Sequence, residues 1–511
     1  MSNNHHSNNN YRGSGGGTRG GSSSNYRGSG GGGRGSSGGR SSGGRPFHGS
    51  GGSGGGPTVL PAKFRPCKTW LTSGQCPNGS NCRYAHIVQL HATVEATNYV
   101  ASSSSSSNKY NSNYQQPQQH KAAVSSIALW QSQADGTLKI FTGSHDGYWR
   151  LWNTSANFLR EVEYHVGNKV ECLHVTHGAH HHHLFCGMQA NAARGIFPFA
   201  TSVGMLHAWN LQAPQAPPME FHVDPPYLPY AHNQAVTAVT VADTTVVTGS
   251  ADGTLRVWKF HPPTQAFVLD QSLPGHARQV TGVVLVDPST PPVGTPAGGV
   301  VPPVTGPSSP TILWSSSTDG SIRIWDLATG KCQLNITQEG SGSVDHANPQ
   351  QQIAPQPPAP ANLSASPAAG HGHTHAVTAL ISFSSPQGHF CFSGSLDSTL
   401  KAWKATTGEC VATESHGEGV VSLALATEPS PRQVQVLLVG LESGNIVCRN
   451  VFPQGSTPAF AVLFVLTTKF NTSHNGAVHC LQAGPQSTFY SGGQDGKLMV
   501  WQINGDLGLA S

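Results

Sequence analysis

Residues 67–86 hold four side chains whose types and spacing suit metal binding. Cys67, Cys76, Cys82 and His86 are separated by eight, five and three residues. Three thiolates and one imidazole complete the tetrahedral shell of a structural zinc ion, which leaves no open position for water or substrate. Because this stretch has almost nothing apolar to bury, bound zinc would also explain how it folds. We therefore expect one structural Zn²⁺ and no zinc-dependent hydrolysis; a disulfide pair or a chance cluster is the alternative.

The spacing of these ligands matches the CCCH zinc-finger family at every position, and the stretch resembles that family. The resemblance implies binding of single-stranded RNA, in which aromatic residues between the ligands stack on bases. The alternatives are that the aromatic residues only cover the zinc and that the nearby cations form a solvated surface. The expected RNA contacts are Trp70 and Tyr84 for stacking, and Lys63, Arg65, Lys68 and Arg83 for phosphates.

Positive charge is concentrated at the N-terminal end of the chain. Residues 1–86 contain ten Lys or Arg and no acidic residue, whereas the other 18 basic residues are outnumbered by all 24 Asp and Glu. One basic end on an otherwise acidic protein favours contact with a polyanion. Residues 1–60 are nearly all Gly, Ser, Asn and Arg, so we expect a disordered tail there. Its Tyr-Arg-Gly and Arg-Gly-Gly stretches resemble the RGG-type tails of RNA-binding proteins, with a plain flexible tether as the alternative.

Most of the remaining chain repeats one pattern five times. In each copy a Ser or Thr lies four residues before an Asp, and a Trp lies six residues after that Asp. Asp-Gly or Asp-Ser between β-rich runs predicts a hairpin turn, and repeats of about 40 residues with several strands each predict propeller blades. The five copies are Thr142/Asp146/Trp152, Thr248/Asp252/Trp258, Ser315/Asp319/Trp325, Ser393/Asp397/Trp403 and Ser491/Asp495/Trp501.

These repeats resemble the WD-repeat family, in which a His joins the Ser or Thr, the Asp and the Trp in a hydrogen-bonded tetrad. The resemblance implies that the four residues are structural. Their recurrence in every repeat argues against a hydrolase built from any one Asp-His-Ser trio. His232 and His375 are the histidines expected in two of the repeats. The complete sets are His276, Ser315, Asp319 and Trp325, and His474, Ser491, Asp495 and Trp501.

Two degenerate units bring the expected number of blades to seven. We therefore expect an all-β, seven-bladed WD-repeat propeller over 119–511, with disordered insertions near 288–310 and 338–370. The degenerate units are 165–209, which keeps His165 and Trp209, and 416–449, where Val439, Ser443 and Arg449 replace the Ser, Asp and Trp.

A propeller needs its last blade completed by a strand from the other end of the chain, and only ten residues follow Trp501. Residues 88–96 alternate between apolar and polar side chains, which is the period of a strand. We expect this segment, directly after a finger at 61–87, to close the seventh blade. The rest of 88–118 would then be a low-complexity linker. Closure by 505–510 is the alternative.

One finger followed by a propeller resembles the plant-type zinc-finger WD-repeat proteins. We expect a non-enzymatic adaptor whose finger and tail bind single-stranded RNA and whose propeller recruits protein partners. The alternative is a protein-only scaffold such as a ubiquitin-ligase receptor, although the single Trp-Asp pair, Trp325-Asp326, lacks the Arg that such receptors often carry two residues later. The sequence shows no Walker motif and no 18-residue apolar run, so we expect no enzyme, no small-molecule substrate and no membrane span. The expected location is the nucleus, with the cytoplasm as a second site.

Overall fold

The chain divides into two units, Met1–Thr58 and Val59–Ser511, and every residue described here lies in the second. The expected tail, most of the expected linker and nearly all of the two expected insertions lie outside the described residues. The computed structural model describes residues 62–94, 120–176, 182–191, 202–213, 216–221, 230–242, 245–261, 266–287, 312–338, 340–342, 372–385, 388–429, 435–451, 459–467 and 473–504.

The strands of this unit form seven antiparallel sheets, which are the blades of a propeller. One α-helix and one strand precede them: α1 is Lys68–Ser73 and β1 is Val88–Val94. Blade one consists of β2 Val124–Gln131, β3 Leu138–Ser144, β4 Tyr148–Asn153 and β5 Leu159–His165. Blade two consists of β6 Val170–Val175, β7 His183–Asn191, β8 Ser202–Asn210 and β9 Met219–Glu220. Blade three consists of β10 Val236–Ala242, β11 Thr245–Ser250, β12 Thr254–His261 and β13 Ala266–Pro274. Blades four to seven are β14 Val280–Val286, β15 Ile312–Ser317, β16 Ile322–Asp326, β17 Lys331–Thr337, β18 Gly340–Gly342; β19 Val377–Ser385, β20 Gly388–Ser395, β21 Thr399–Lys404, β22 Cys410–Ser415; β23 Val420–Thr427, β24 Gln435–Leu441, β25 Ile446–Asn450, β26 Ala461–Leu466; and β27 Val478–Ala483, β28 Thr488–Gly493, β29 Leu498–Ile503.

The repeated Asp-Gly pairs form the tight turns between the second and third strands of a blade. In blade three, Gly253 has a φ of 81°, a left-handed conformation that suits glycine. A Cβ at Gly253 would also lie 2.4 Å from the carbonyl oxygen of His276. The turn therefore needs a residue without a side chain, both for its backbone angle and for its approach to the next blade.

A ring of hydrogen bonds links each innermost strand to that of the next blade. In every blade, one side chain near the start of that strand donates to a valine carbonyl of the next blade. The donor is the second residue of the strand in blades one, three, four and five, and the third residue in blades two, six and seven. This ring joins blade seven to blade one as well as the other neighbours. The donors are Ser125, Cys172, Thr237, Thr281, Thr378, Ser422 and Cys480, and the acceptors are the carbonyls of Val170, Val236, Val280, Val377, Val420, Val478 and Val124.

Strand β1 occupies the outer position of the seventh blade. It pairs antiparallel with β29, from Val88 opposite Ile503 to Val94 opposite Leu498. A register shift between Leu90 and Ala92 leaves the exposed His91 outside the ladder. The strand that directly follows the cysteine-rich segment is thus part of the ring, so this segment is attached to the propeller by the backbone ladder.

The cysteine-rich segment also shares a hydrophobic core with the last two blades. Leu71, on α1, is only 1% exposed and belongs to a cluster that includes Val88, Val436, Phe489 and Trp501. Burial of apolar area is the main force that holds such elements together. Among the described residues, no helix is long and apolar enough to span a membrane.

Candidate metal centre and nucleic-acid interface

The backbone around α1 brings the first and last candidate metal ligands together. The amide of Cys67 donates to the carbonyl of Ala85 (2.8 Å), and the amide of Ala85 donates to the carbonyl of Arg65 (3.0 Å). Helix α1 begins directly after Cys67 and ends at Ser73. Gly74 caps it with a φ of 67°, and the Gly74 amide donates to the carbonyl of Trp70. These contacts place the start of the segment beside its end, where His86 follows Ala85.

The four candidate ligands converge on one point. One donor atom from each of Cys67, Cys76, Cys82 and His86 can be chosen so that all four lie within 4.8 Å of one another. The Sγ atoms of Cys67 and Cys76 are 3.7 Å apart. Tetrahedral zinc with Zn–S bonds of about 2.3 Å requires a sulfur–sulfur separation of roughly 3.8 Å. The Nε2 atom of His86 is buried and has no hydrogen-bond partner among the described residues, which leaves its lone pair for a metal.

The surroundings of the thiols favour one thiolate before metal binds. Burial raises the pKa of Cys67, but hydrogen bonds from the Trp70 amide and with the other ligands outweigh burial and lower this pKa to about 7. Burial and the neighbouring thiols raise the pKa of Cys76. A bound Zn²⁺ would supply the charge that lets all three cysteines ionise. The arrangement fits one structural zinc ion whose shell these four residues complete.

Trp70 lies against a metal ligand and is not free to stack on a base with both faces. Its ring stacks on the His86 ring, with centroids 4.8 Å apart and planes 12° apart. The contact covers one side of the candidate metal centre and holds the imidazole in place. This geometry corresponds to the alternative stated from sequence, in which the aromatic residue covers the zinc.

The side chains of two arginines from different parts of the segment approach the Tyr84 ring. The Arg65 guanidinium carbon is 5.7 Å from the centre of the Tyr84 ring, and that of Arg83 is 5.2 Å away. We call these three residues the arginine–tyrosine cluster. Arg83 is exposed, and Arg65 and Tyr84 are half-buried. Such a group combines donors for phosphate with an aromatic ring for a base.

The other two candidate cations lie beside the cluster in sequence and are exposed. Lys63 sits over the ring of Phe64, 4.9 Å from its centre. Lys68 is the first residue of α1. Phe64 was not among the residues expected to contact RNA, although its place between Lys63 and Arg65 was a visible signal. Residues 62–94 contain no acidic residue, so no carboxylate of this segment neutralises these cations.

Five blades contain the complete tetrad. In all five, the Ser or Thr hydroxyl donates to His Nε2 over 2.7–2.8 Å, and the Trp indole donates to that hydroxyl oxygen over 2.8–3.0 Å. In blades one, five and seven the His Nδ1 atom donates to the Asp carboxylate over 2.9–3.0 Å. In blades three and four Nδ1 lies 3.5 and 3.4 Å from the carboxylate and donates to the hydroxyl of Thr254 or Ser321, which in turn donates to that carboxylate. The five sets are His120/Thr142/Asp146/Trp152, His232/Thr248/Asp252/Trp258, His276/Ser315/Asp319/Trp325, His373/Ser393/Asp397/Trp403 and His474/Ser491/Asp495/Trp501.

The histidine and aspartate side chains of the tetrads interact with one another inside the blades. Burial lowers the pKa of His276, which keeps the ring neutral. Burial raises the pKa of Asp319, but its interactions with His276 and the hydrogen bonds from Ser321 outweigh this and hold that pKa below its usual range. Each His lies four residues before the first valine of the innermost strand, as His373 lies before Val377. The expectation of His375 was therefore wrong, because His375 is exposed and His373 bonds to the Ser and Asp.

The two degenerate blades lack the central hydroxyl. In blade two, His165 ends β5 of the neighbouring blade, and Cys186 takes the place of the Ser or Thr. The buried indole N–H of Trp209 consequently has no hydrogen-bond partner among the described residues. In blade six, Val439 takes that place, and Nε2 of His416 is buried without a partner in the described part of the chain.

Arg449 replaces the Trp of blade six and changes the charge of its surroundings. It is 4% exposed and donates to Glu414 of blade five over 3.1 Å. Burial, together with the Arg449 charge, lowers the pKa of His416 to about 3. This blade therefore holds a neutral His beside a buried cation.

Two family models match segments of this chain. Residues 63–88 match the family model of the zinc finger of C-x8-C-x5-C-x3-H type. The WD domain, G-beta repeat model matches 112–153, 225–259, 368–404 and 465–502.

Three curated plant proteins are similar to the chain. Zinc finger CCCH domain-containing protein 17 of Oryza sativa subsp. japonica is 26% identical over 439 residues, which cover 86% of this chain and 72% of that protein. Zinc finger CCCH domain-containing proteins 62 and 48 of Arabidopsis thaliana are 23% and 25% identical. Those matches cover 53% and 41% of this chain, and 48% and 37% of the two relatives.

Proposed function

Because the chain carries a CCCH zinc finger and a seven-bladed WD40-repeat propeller, we propose that it is an adaptor that binds single-stranded RNA through the finger and recruits protein partners on the propeller. The arginine–tyrosine cluster is the observation that carries the RNA part of this proposal. It joins two guanidinium groups and one aromatic ring on a segment without acidic residues.

Each member of the cluster has a distinct task in the proposed complex. The guanidinium groups of Arg65 and Arg83 donate to phosphates, and the Tyr84 ring stacks on a base. Trp70 acts on RNA only indirectly, because it holds His86 and the zinc shell in place. The basic tail at residues 1–60 adds contacts that depend on charge and not on sequence.

The propeller half of the proposal rests on its rigidity. The ring of seven hydrogen bonds and the tetrads hold the blades in one arrangement, so the loops and blade edges form a stable platform for partners. The tetrad histidines and aspartates are occupied by one another, and we propose no catalytic role for them. We also propose that the protein acts in the nucleus.

A binding assay with the full chain tests the RNA part. We would measure binding of fluorescent single-stranded oligonucleotides of mixed sequence to wild type, Tyr84→Ala, Arg83→Ala and the control Lys259→Ala, whose cation is exposed on blade three. Loss of stacking worth about 1–3 kcal/mol should weaken binding by Tyr84→Ala roughly 5- to 150-fold. Arg83→Ala should weaken binding and reduce its salt dependence, because one phosphate contact is lost. Lys259→Ala should bind as wild type does.

RNA crosslinking in living cells separates the finger from the tail. We would compare wild type with Cys76→Ser and with a chain whose tail Arg residues are replaced by Lys. Loss of crosslinks with Cys76→Ser would assign RNA reading to the finger. Loss only with the tail change would contradict that assignment, and absence of crosslinks in wild type would leave a protein-only scaffold.

A further inference from the structure

A cavity between blades one and two is lined by several large aromatic rings. Its volume is about 950 Å³, which is within the range of sites that bind ligands. The wall includes Trp130, Trp149 and Tyr164 of blade one and Trp209 of blade two. We call this feature the aromatic groove.

The groove exists because the outer strand of blade two stops early. Strand β9 has only two residues, and it pairs with His207 and Ala208 but not with Trp209. Pro217 and Pro218 come directly before β9, and proline has no N–H to extend a ladder. In a complete blade the same position is paired, as Trp258 is with Leu269. Trp209 instead faces the rings of blade one.

The aromatic wall is held in one arrangement by its own packing. Trp149 stacks on Tyr164 with centroids 5.4 Å apart and planes 11° apart. Trp209 lies edge-on to both rings, 5.5 Å from Trp149 and 5.3 Å from Tyr164. A wall of fixed rings loses little conformational entropy when a ligand binds.

The rim of the groove is apolar and exposed. Tyr164 is 40% exposed and Val162 is 41% exposed, and both line the groove. Leu159, on the same strand, is 53% exposed. Three of the five large apolar side chains that are exposed in the described part of the chain therefore lie on β5. Such a concentration on one strand indicates an interaction surface.

The charges beside the groove are already paired, which disfavours a cationic ligand. Lys139 donates to Glu161 over 2.8 Å and lies 3.5 Å from Asp135. Glu161 also accepts from the Asn153 side chain over 2.7 Å. Lys139 itself lies over Trp130, 5.9 Å from the ring centre, and so occupies one ring face that would otherwise suit a ligand cation. A neutral ligand needs none of these contacts to break.

The aromatic wall of the groove suits one kind of peptide segment. Pro217 and Pro218 line the groove together with the aromatic residues. Extended proline-rich segments dock into aromatic-lined grooves at low entropic cost, because the polyproline II conformation is already formed. We propose that the aromatic groove binds a neutral, proline-rich segment of a partner protein in this extended conformation. This site deepens the proposed function and rests on its partner-recruiting half.

A peptide titration tests the site independently of RNA. The probe is a fluorescent twelve-residue peptide containing two copies of the sequence of residues 213–218, Ala-Pro-Gln-Ala-Pro-Pro. Its anisotropy would be measured with the full wild-type chain, with Tyr164→Ala and with Val162→Lys, which blocks the rim without removing the packed rings. The matched control is Val268→Ala, which removes an apolar side chain that is 39% exposed on blade three.

The expected result is saturable binding that both groove variants weaken about tenfold and that Val268→Ala leaves unchanged. Absence of binding to wild type would overturn the proposal, as would equal binding by Tyr164→Ala and Val162→Lys. Tighter binding of a matched peptide that carries trimethyl-lysine would also overturn it, because the groove would then be a site for cations. Because the titration contains no RNA, its failure would leave the RNA-binding part of the proposed function standing.

Discussion

Replacement of Leu71 by Ala would test whether the zinc finger and the propeller form one cooperative unit. Leu71 is the buried residue of α1, at 1% exposed, and it packs in a cluster built largely from blades six and seven. Removal of its side chain leaves a cavity at the junction between the finger and the ring. We therefore expect the change to destabilise the propeller and not only the finger.

The size of the effect follows from the burial of Leu71. A fully buried Leu→Ala change costs about 2–5 kcal/mol, so we take about 3 kcal/mol. Unfolding of the roughly 300 described residues carries an entropy of about 0.6 kcal/mol per kelvin, at about 2.1 cal/mol/K for each residue. Dividing the lost stability of about 3 kcal/mol by this unfolding entropy predicts that Tm falls by roughly 5 °C.

Calorimetry with excess zinc would measure this shift. The control is Thr72→Ala on the same helix, because Thr72 is exposed and, among the described residues, its hydroxyl bonds within α1 to the carbonyls of Lys68 and Thr69. Surface changes of this kind usually stay within about 0.5 kcal/mol, so its Tm should move by less than about 1 °C. A zinc chelator should lower the Tm of wild type more than that of Leu71→Ala, in which part of the coupling is already lost.

One result would refute this reasoning. If Leu71→Ala left the main transition unchanged and altered only a separate, small transition, the finger would be an autonomous module. The shared core would then contribute nothing to the stability of the ring.

Further predictions concern the zinc centre, a complete tetrad and a degenerate blade. Mass spectrometry under native conditions should find one zinc in wild type and none in Cys76→Ser; retention of zinc by the variant would contradict the four-ligand shell. Ser393→Ala should lower the free energy of unfolding by about 3 kcal/mol in urea titrations, because it leaves His373 and the Trp403 indole without their shared partner; a loss below about 0.5 kcal/mol would contradict this. Burial lowers the pKa of His416 to about 3 from its ordinary 6.5, so between these values the unfolded chain binds a proton that the folded chain does not, and stability falls as the pH falls. His416→Gln should therefore flatten the decline of Tm between pH 6.5 and 4, and an unchanged decline would show that His416 does not titrate in this way.

The parts of the fold that follow from local spacing could be predicted from the sequence. The four ligands at 67–86 can be recognised from sequence, because a tetrahedral zinc shell accepts only certain residue types at short separations. The recurring Asp and Trp positions predict the blades for the same reason, since a hairpin turn requires particular residues at particular offsets. The alternation of 88–96 likewise predicts a strand, and the structure pairs Val88–Val94 with β29.

Other features depend on contacts between residues distant in the chain. His373 and His375 both precede the same apolar run, and the contacts with Ser393 and Asp397 identify His373 as the histidine of the tetrad. The stacking of Trp70 on His86 and the approach of Arg65 to Tyr84 likewise arise only when the ends of the finger meet.

The sequence by itself determined the metal ligands, the repeat and the number of blades, because these are encoded in the types and spacing of neighbouring residues. Tertiary structure decided which cations surround Tyr84, how the finger is anchored through Leu71 and where the aromatic groove opens. Trp149 and Trp209 lie in different blades, and their indoles meet because the closed propeller brings blades one and two side by side. Trp209 is left unpaired on its outer side because the outer strand of blade two, which follows Pro217 and Pro218, is only two residues long. Packing between distant segments is a property of the closed propeller, which no local pattern specifies.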